Sequence, residues 1–378
     1  MAARRNYTAL MGLVLLLGTA GCSLVGPVDA GFPPAATRAG AAALPPTGAA
    51  PVTPTSLPTA SPSPLPSPTP VPVLRQLTSG GCCVDPFWHP DGQHVLFLDR
   101  PNPDMSAGIW GVNIAGGEPQ LFTDRLGIFS ADLQWRVFPE NGQAVVERLE
   151  DGQRWVIPSG GRPVALSPDS TQVYWTQGQD GPPFDRARSD IWISRLDGSD
   201  ARAVLTVFSG GPAGWLPDGR LLVRGRTEPS QEGDTLWVLS PQDGALVELA
   251  HAHRMRGILA SPGGSWVAYQ VTFSPQEAEN GLWLVSTQGG PAFRLEQFGA
   301  YRWRDDARLL VVPQDLSSPV HRFWEVDARD PQAARYLTDP VVTPLRIANN
   351  DWVVSPDGRW VAYVSADDHN LWLLSLPD

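Results

Sequence analysis

The side chains with the most reactive chemistry are few. Three cysteines occur, Cys22, Cys82 and Cys83, and six histidines, at positions 89, 94, 251, 253, 321 and 369. Cys82 and Cys83 are neighbours in "TSGGCCVDPFWHPDG", directly behind Gly80 and Gly81. Adjacent Cα atoms across a trans peptide lie about 3.8 Å apart, closer than the usual disulfide span of about 4.4–6.8 Å. A vicinal disulfide here would be strained and fairly reducible, and the two glycines relax the backbone leading into it. Free thiols and thiolate chemistry remain the alternatives for this pair. Among the histidines only "HAH", His251 and His253, has ligand-like spacing. In an extended segment residues i and i+2 face the same way, so two nitrogens can converge on a metal. A third ligand has no counterpart in the sequence, so the expectation is no metal and no cofactor, with His251 and His253 the weak candidates. His89 and His94 flank a turn and read as surface residues.

The usual catalytic signatures are missing. No Gly-x-Ser-x-Gly, P-loop, dinucleotide fingerprint or Cys-x-x-Cys occurs. Asp91, Asp218 and Asp357 stand in Pro-Asp-Gly turns without the spaced oxygen ligands of a calcium loop. The chain is expected not to be an enzyme.

The elements that would hold these residues announce themselves by repetition. "FWHPDGQHVLFL", "ALSPDSTQVYW", "GWLPDGRLLV", "LASPGGSWVAY" and "VVSPDGRWVAY" each read as strand, tight turn, strand. "QWRVFPENGQAVV" and "YRWRDDARLLVV" are degenerate copies. A second phrase follows each copy and carries a tryptophan: Trp110, Trp155, Trp192, Trp237, Trp283, Trp324 and Trp372. Their spacing suits propeller blades of about 40–45 residues, and packing between blades is their expected role. A third phrase, as in "PQLFTD" or "ARYLTD", reads as an outer strand, which has no counterpart in the second unit. The pattern predicts an all-β, seven-bladed β-propeller over residues 73–378, in which residues 73–78 close the ring by pairing with the last blade.

The hairpin phrase followed by Leu/Ile-Trp-apolar resembles the Pro-Asp β-propeller repeat of the TolB-like family, related in form to WD repeats, along all of residues 73–378. That resemblance implies the propeller and leaves function open, because its relatives include periplasmic partner-binding proteins, peptidase propellers and lyases.

The remaining sequence predicts where such a domain sits. Residues 1–21 combine Arg4 and Arg5, a short apolar run and small residues ahead of Cys22, the plan of a bacterial lipoprotein signal peptide with Cys22 lipidated. Residues 22–72, rich in Pro, Ala, Ser and Thr, read as a disordered tether. The expected location is extracytoplasmic, periplasmic or at the cell envelope, lipid-anchored to the cell membrane or outer membrane of a bacterium. The net charge of −11 argues against a nucleic-acid partner. A monomeric propeller offering one loop face to a protein, peptide or glycan is the expected function. Its alternative is a propeller enzyme, such as a metal-assisted polysaccharide lyase or hydrolase working at the channel mouth. The ligand-face candidates are Arg186 and Arg188 in a long loop, His251, His253, Arg254 and Arg256 in one blade connection, and Arg346, Asn349 and Asn350 in another.

Overall fold

Short runs of Val, Leu, Trp and Tyr between Asp-Gly, Ser-Pro and Gly-Gly turns are too brief for helices and favour locally paired strands. A computed structural model describes residues 72–102, 104–178 and 186–377. The expected signal peptide, Cys22 and all but the last residue of the tether lie outside these residues. No helix among the described residues is long and apolar enough to cross a membrane.

β1 (Leu74–Gln76) opens the described chain. A four-stranded sheet follows, of β2 (Val84–Trp88), β3 (His94–Asp99), β4 (Gly108–Asn113) and β5 (Gln120–Thr123). The next is β6 (Ile128–Phe129), β7 (Trp135–Glu140), β8 (Gln143–Arg148) and β9 (Arg154–Ile157). A seven-stranded sheet then runs through β10 (Ala165–Leu166), β11 (Gln172–Gly178), β12 (Arg188–Arg195), β13 (Arg202–Trp215), β14 (Leu221–Arg226), β15 (Asp234–Leu239) and β16 (Leu246–Ala252). β17 (Met255–Ala260), β18 (Trp266–Val271), β19 (Gly281–Ser286) and β20 (Phe293–Arg294) form another four-stranded sheet. So do β21 (Gly299–Trp303), β22 (Arg308–Pro313), β23 (Trp324–Asp327) and β24 (Asp330–Tyr336). The last sheet holds β25 (Ile347–Val354), β26 (Trp360–Ser365) and β27 (Leu371–Ser375), with β1 as its fourth strand. Every pairing is antiparallel, and the arrangement is that of an all-β propeller.

Two sequence expectations need correction. The described strands make five four-stranded blades, not seven. The third and fourth repeat units share one sheet because β13 runs unbroken for 14 residues, pairing with β12 at its start and with β14 at its end. Its "FSGGP" centre looks like a loop, but register shifts between Phe208 and Gly211 let the strand bend without ending. The second unit does have four strands. Its first hairpin turns at Ser130–Gln134, and the Asn141–Gly142 turn joins β7 to β8. Trp155 therefore lies on the outer strand β9, while the other six repeated tryptophans lie on third strands.

Ring closure takes the expected form. Leu74, Arg75 and Gln76 pair with Leu374, Leu373 and Trp372. Apolar side chains pack between neighbouring sheets. At the closure, Leu77, Cys83, Val95, Phe97 and Trp110 meet Ala362, Val364, Leu371 and Leu373, all buried. Each such Val, Leu or Phe side chain contributes about 1.5–3 kcal/mol of burial.

Candidate functional site at the mouth of the inner strands

Backbone hydrogen bonds gather two classes of loop on one face. Ser209 N–H donates to Ala187 O (2.9 Å), Gln314 N–H to Phe298 O (2.8 Å) and Ala366 N–H to Arg346 O (2.8 Å). Each bond ties the entry to an innermost strand to a loop between a second and a third strand. The hairpins between innermost and second strands lie at the opposite end of the same strands.

Cys82 and Cys83 occupy one of these entries. Their sulfur atoms meet within bonding contact and their Cα atoms are 3.7 Å apart. Gly80, Gly81 and Cys83 all adopt positive φ, and Cys83 is buried. The turn is held to the last blade: Cys82 N–H donates to His369 O (2.7 Å) and Gly81 N–H to the Oδ1 of Asn370 (3.0 Å). The hydroxyl of Thr78 lies 3.0 Å from the sulfur of Cys82 and accepts from Leu371 N–H (2.8 Å). The pair thus sits on the seam where the chain passes from the closing strand into the first blade.

Beyond it, the first residues of several inner strands leave regular pairing. Register shifts fall between Val84 and Phe87, between Arg256 and Leu259, and between Ile347 and Trp352. Asp85, Asn349 and Asn350 take positive φ there. Bulges re-aim side chains that strict alternation would send to the neighbouring blade. Asn350 uses its Oδ1 to accept from the indole N–H of Trp352 (2.7 Å).

Charges cluster here, on the irregular strands β2, β17 and β25 and on the regular strand β21 between β17 and β25. Burial raises the pKa of Asp351 above its ordinary 3.8, and the nearby Asp85 pushes the same way, against the attraction of Arg302. Burial also pulls the Arg302 guanidinium down, opposed by Tyr301 and Asp351. That guanidinium stands 5.3 Å from the ring centre of Trp352 and donates to Tyr301 O (2.8 Å). The Tyr301 hydroxyl donates to Gly257 O, and burial raises its pKa. Arg256 lies 5.9 Å from the Phe273 ring centre. Four innermost strands, β2, β25, β21 and β17, thereby present two carboxylates, two guanidiniums and flanking aromatics. Such a set can grip a polar ligand by paired hydrogen bonds and by stacking against a flat ring.

The candidates chosen from sequence divide. Arg256, Asn349 and Asn350 belong to this mouth. Arg346 is exposed and pairs with Asp367 (2.9 Å). Arg188 pairs with Asp190 (3.0 Å), and Arg186 is exposed beside residues 179–185, which lie outside the described part. Arg254 is exposed. His251 sits on β16, the outermost strand of its sheet, with Nδ1 3.0 Å from the Thr235 hydroxyl, and His253 follows that strand. Neither joins a group of three metal-ligating side chains among the described residues. Asp85, Tyr301, Arg302 and Asp351 were not singled out. Their signal is a charged or hydroxylic residue just ahead of the apolar hairpin phrase, in "VDPFW", "YRW" and "NNDWVV".

No family model matches the chain, and no curated protein matches it. Solved structures do. An oligogalacturonate lyase from Vibrio parahaemolyticus is 12% identical with a TM-score of 0.55, covering 82% of this chain and 98% of its own. An oligogalacturonate lyase in complex with manganese is 13% identical with a TM-score of 0.53 and the same coverage. These likenesses establish the propeller fold alone. TolB from Acinetobacter baumannii is 14% identical with a TM-score of 0.38 over 64% of this chain and 63% of its own, too loose to bear on function.

Proposed function

We propose that the chain is an exported bacterial lipoprotein, anchored through lipid on Cys22, whose propeller binds a protein, peptide or glycan at the mouth of its inner strands without performing chemistry on it. The seven-stranded sheet is read here as the third and fourth of seven blades, fused through β13. The observation that carries the binding reading is the meeting of Asp85 and Asp351, on bulged inner strands, with Arg302 on the regular inner strand β21. Here three strands, β2, β25 and β21, from neighbouring sheets bring them together. Cys82 and Cys83, read as a vicinal disulfide, stiffen the rim of that opening.

The test is crosslinking in native membranes, followed by affinity purification and mass spectrometry, for the natural chain and for Arg302→Glu. A partner recovered with the first and lost with the second supports the proposal. A partner held equally by both rules out this placement. The enzymatic alternative has its own readout, since unsaturated products released from oligogalacturonate by the purified chain would replace binding with lyase chemistry.

A further inference from the structure

The hairpin between β2 and β3 departs from the repeat in a way that creates a second site, on the face opposite the mouth and independent of the function proposed above. In four other units the residue opening this turn is serine: Ser130, Ser167, Ser261 and Ser355. In three of those units its hydroxyl donates to the aspartate of the same turn, Asp132, Asp169 or Asp357. The residue closing the turn is Trp135, Trp266 or Trp360 in three units. The first unit keeps the aspartate, Asp91, and has histidine at both of the other positions, His89 and His94.

Each replaced side chain ends in an imidazole nitrogen aimed at the same carboxylate. Nδ1 of His94 is 2.8 Å from Oδ2 of Asp91, and Nδ1 of His89 is 3.1 Å from Oδ1. One donor atom from each of the three residues falls within a common 4.8 Å span. Ligands around a tetrahedral zinc ion, at about 2.0–2.2 Å from the metal, stand about 3.3 Å from one another, so side-chain shifts of up to about 1.5 Å bring the three together. His89 Nδ1 accepts from Asp91 N–H (3.2 Å), a bond that a metal on this nitrogen would displace. The Phe122 ring packs edge-on against His89, 5.8 Å between centres. Beside the three donors lies a cavity of about 420 Å³, walled by Asn113, Glu118, Gln120 and Phe122 among others, with room for a further ligand.

We propose that His89, Asp91 and His94 bind a divalent transition-metal ion of the zinc type. Two imidazoles and one carboxylate favour such an ion over calcium or magnesium, which take mostly oxygen ligands. The fourth coordination position opens to the cavity. Asn113 holds His94 in the other tautomer, which metal binding would have to reverse: its Nδ2, a donor, lies 3.1 Å from Nε2 of His94, while its Oδ1 accepts from Ala115 N–H (2.8 Å). With metal on Nδ1, Nε2 carries the proton and needs an acceptor, which an aspartate at 113 would supply.

Equilibrium dialysis of the full chain against Zn²⁺, with Co²⁺ visible absorption as the second readout, tests the site. The expected result is one equivalent bound, a ligand-field band for Co²⁺, and affinity at least about tenfold weaker in His89→Ala and in His94→Ala. Asn113→Asp is expected to bind more tightly, and His251→Ala to bind as the natural chain does. No bound metal, affinity unchanged in both histidine variants, or a loss that follows His251 instead would overturn the proposal. Asn113→Asp binding no tighter would remove coordination through Nδ1 of His94.

Discussion

At the level of single residues, Asp351 is the most informative group. Its folded pKa is raised, by burial first and by Asp85 second, so its neutral form fits the fold better than its charged form. The stability tied to this group is fully present below its unfolded pKa, near 3.8, and is lost as pH rises through the raised folded value. Asp351→Asn should therefore stabilise the protein at neutral pH, on the order of 0.5 kcal/mol because the site is partly solvated, and the gain should vanish in acid. Chemical denaturation at two pH values measures it, and a loss of stability at neutral pH would show that Arg302 governs the site instead. The cysteines make a different prediction. A bridge between adjacent residues closes almost no loop, so reduction should move global stability by less than about 1 kcal/mol. Alkylation without reductant should leave both sulfurs unlabelled. Labelling at either position would mean that they are free thiols.

Elements are held together where a strand of one blade reaches the next. Arg304 is buried beside β21, pairs with Glu325 (2.6 Å), and donates to the carbonyls of Gly358 (2.9 Å) and Pro377 (2.7 Å) in the last sheet. Arg304→Ala would leave those carbonyls unpaired and Glu325 dependent on Arg335, 3.1 Å away. A loss of about 3 kcal/mol is expected in urea unfolding. The fused strand β13 has its own weak point, because a Cβ added at Gly210 would collide with the backbone of Arg224 and Gly225. Gly210→Ala should cost about 2 kcal/mol or more, and a neutral result would mean that β13 is not continuous at that residue. The same two regions mark what was legible in advance. Turn phrases and tryptophans gave away the strands of most units, since Asp-Gly turns and period-two patterns are local signals. β13 was not legible, because a glycine pair marks a bend and a break alike. The second unit was misregistered because Asn141–Gly142, the stronger hairpin signal, joins the second strand to the third. The cysteine pair and the connections at the mouth were readable from chain order. The grouping of Asp85, Arg302 and Asp351 was not, since it depends on strands more than 200 residues apart meeting across a closed ring.

For the molecule as a whole, closure is the property that sequence and structure share most directly. β1 covers the exposed edge of β27, and the buried residues Leu77 and Thr78 follow it into the seam. Deleting residues up to Thr78 removes both. The truncated chain should lose several degrees of thermal stability and associate through the bared edge. Light scattering against concentration reads this directly, and a truncated chain that stays monomeric with unchanged melting would show that β1 is dispensable.

The direction in which the chain enters that seam has a mechanical consequence. The described chain enters the ring through β1, whose three residue pairs with β27 are extended by Val73, bonded to Ser375 in both directions, and by Leu77 N–H donating to Leu371 O (2.8 Å). Among the described residues, tension applied at residue 72 loads the Val73–Ser375 bonds and then the β1–β27 pairs first. The glycine-rich turn at Gly80–Gly81 and the cysteine pair come next in line, pinned to His369 and Asn370. A tug on the leading chain would peel the closing strand and then reach the rim of the opening where Asp85 stands. The closing strand, the cysteine pair and Asp85 thereby stand in one mechanical series along the chain.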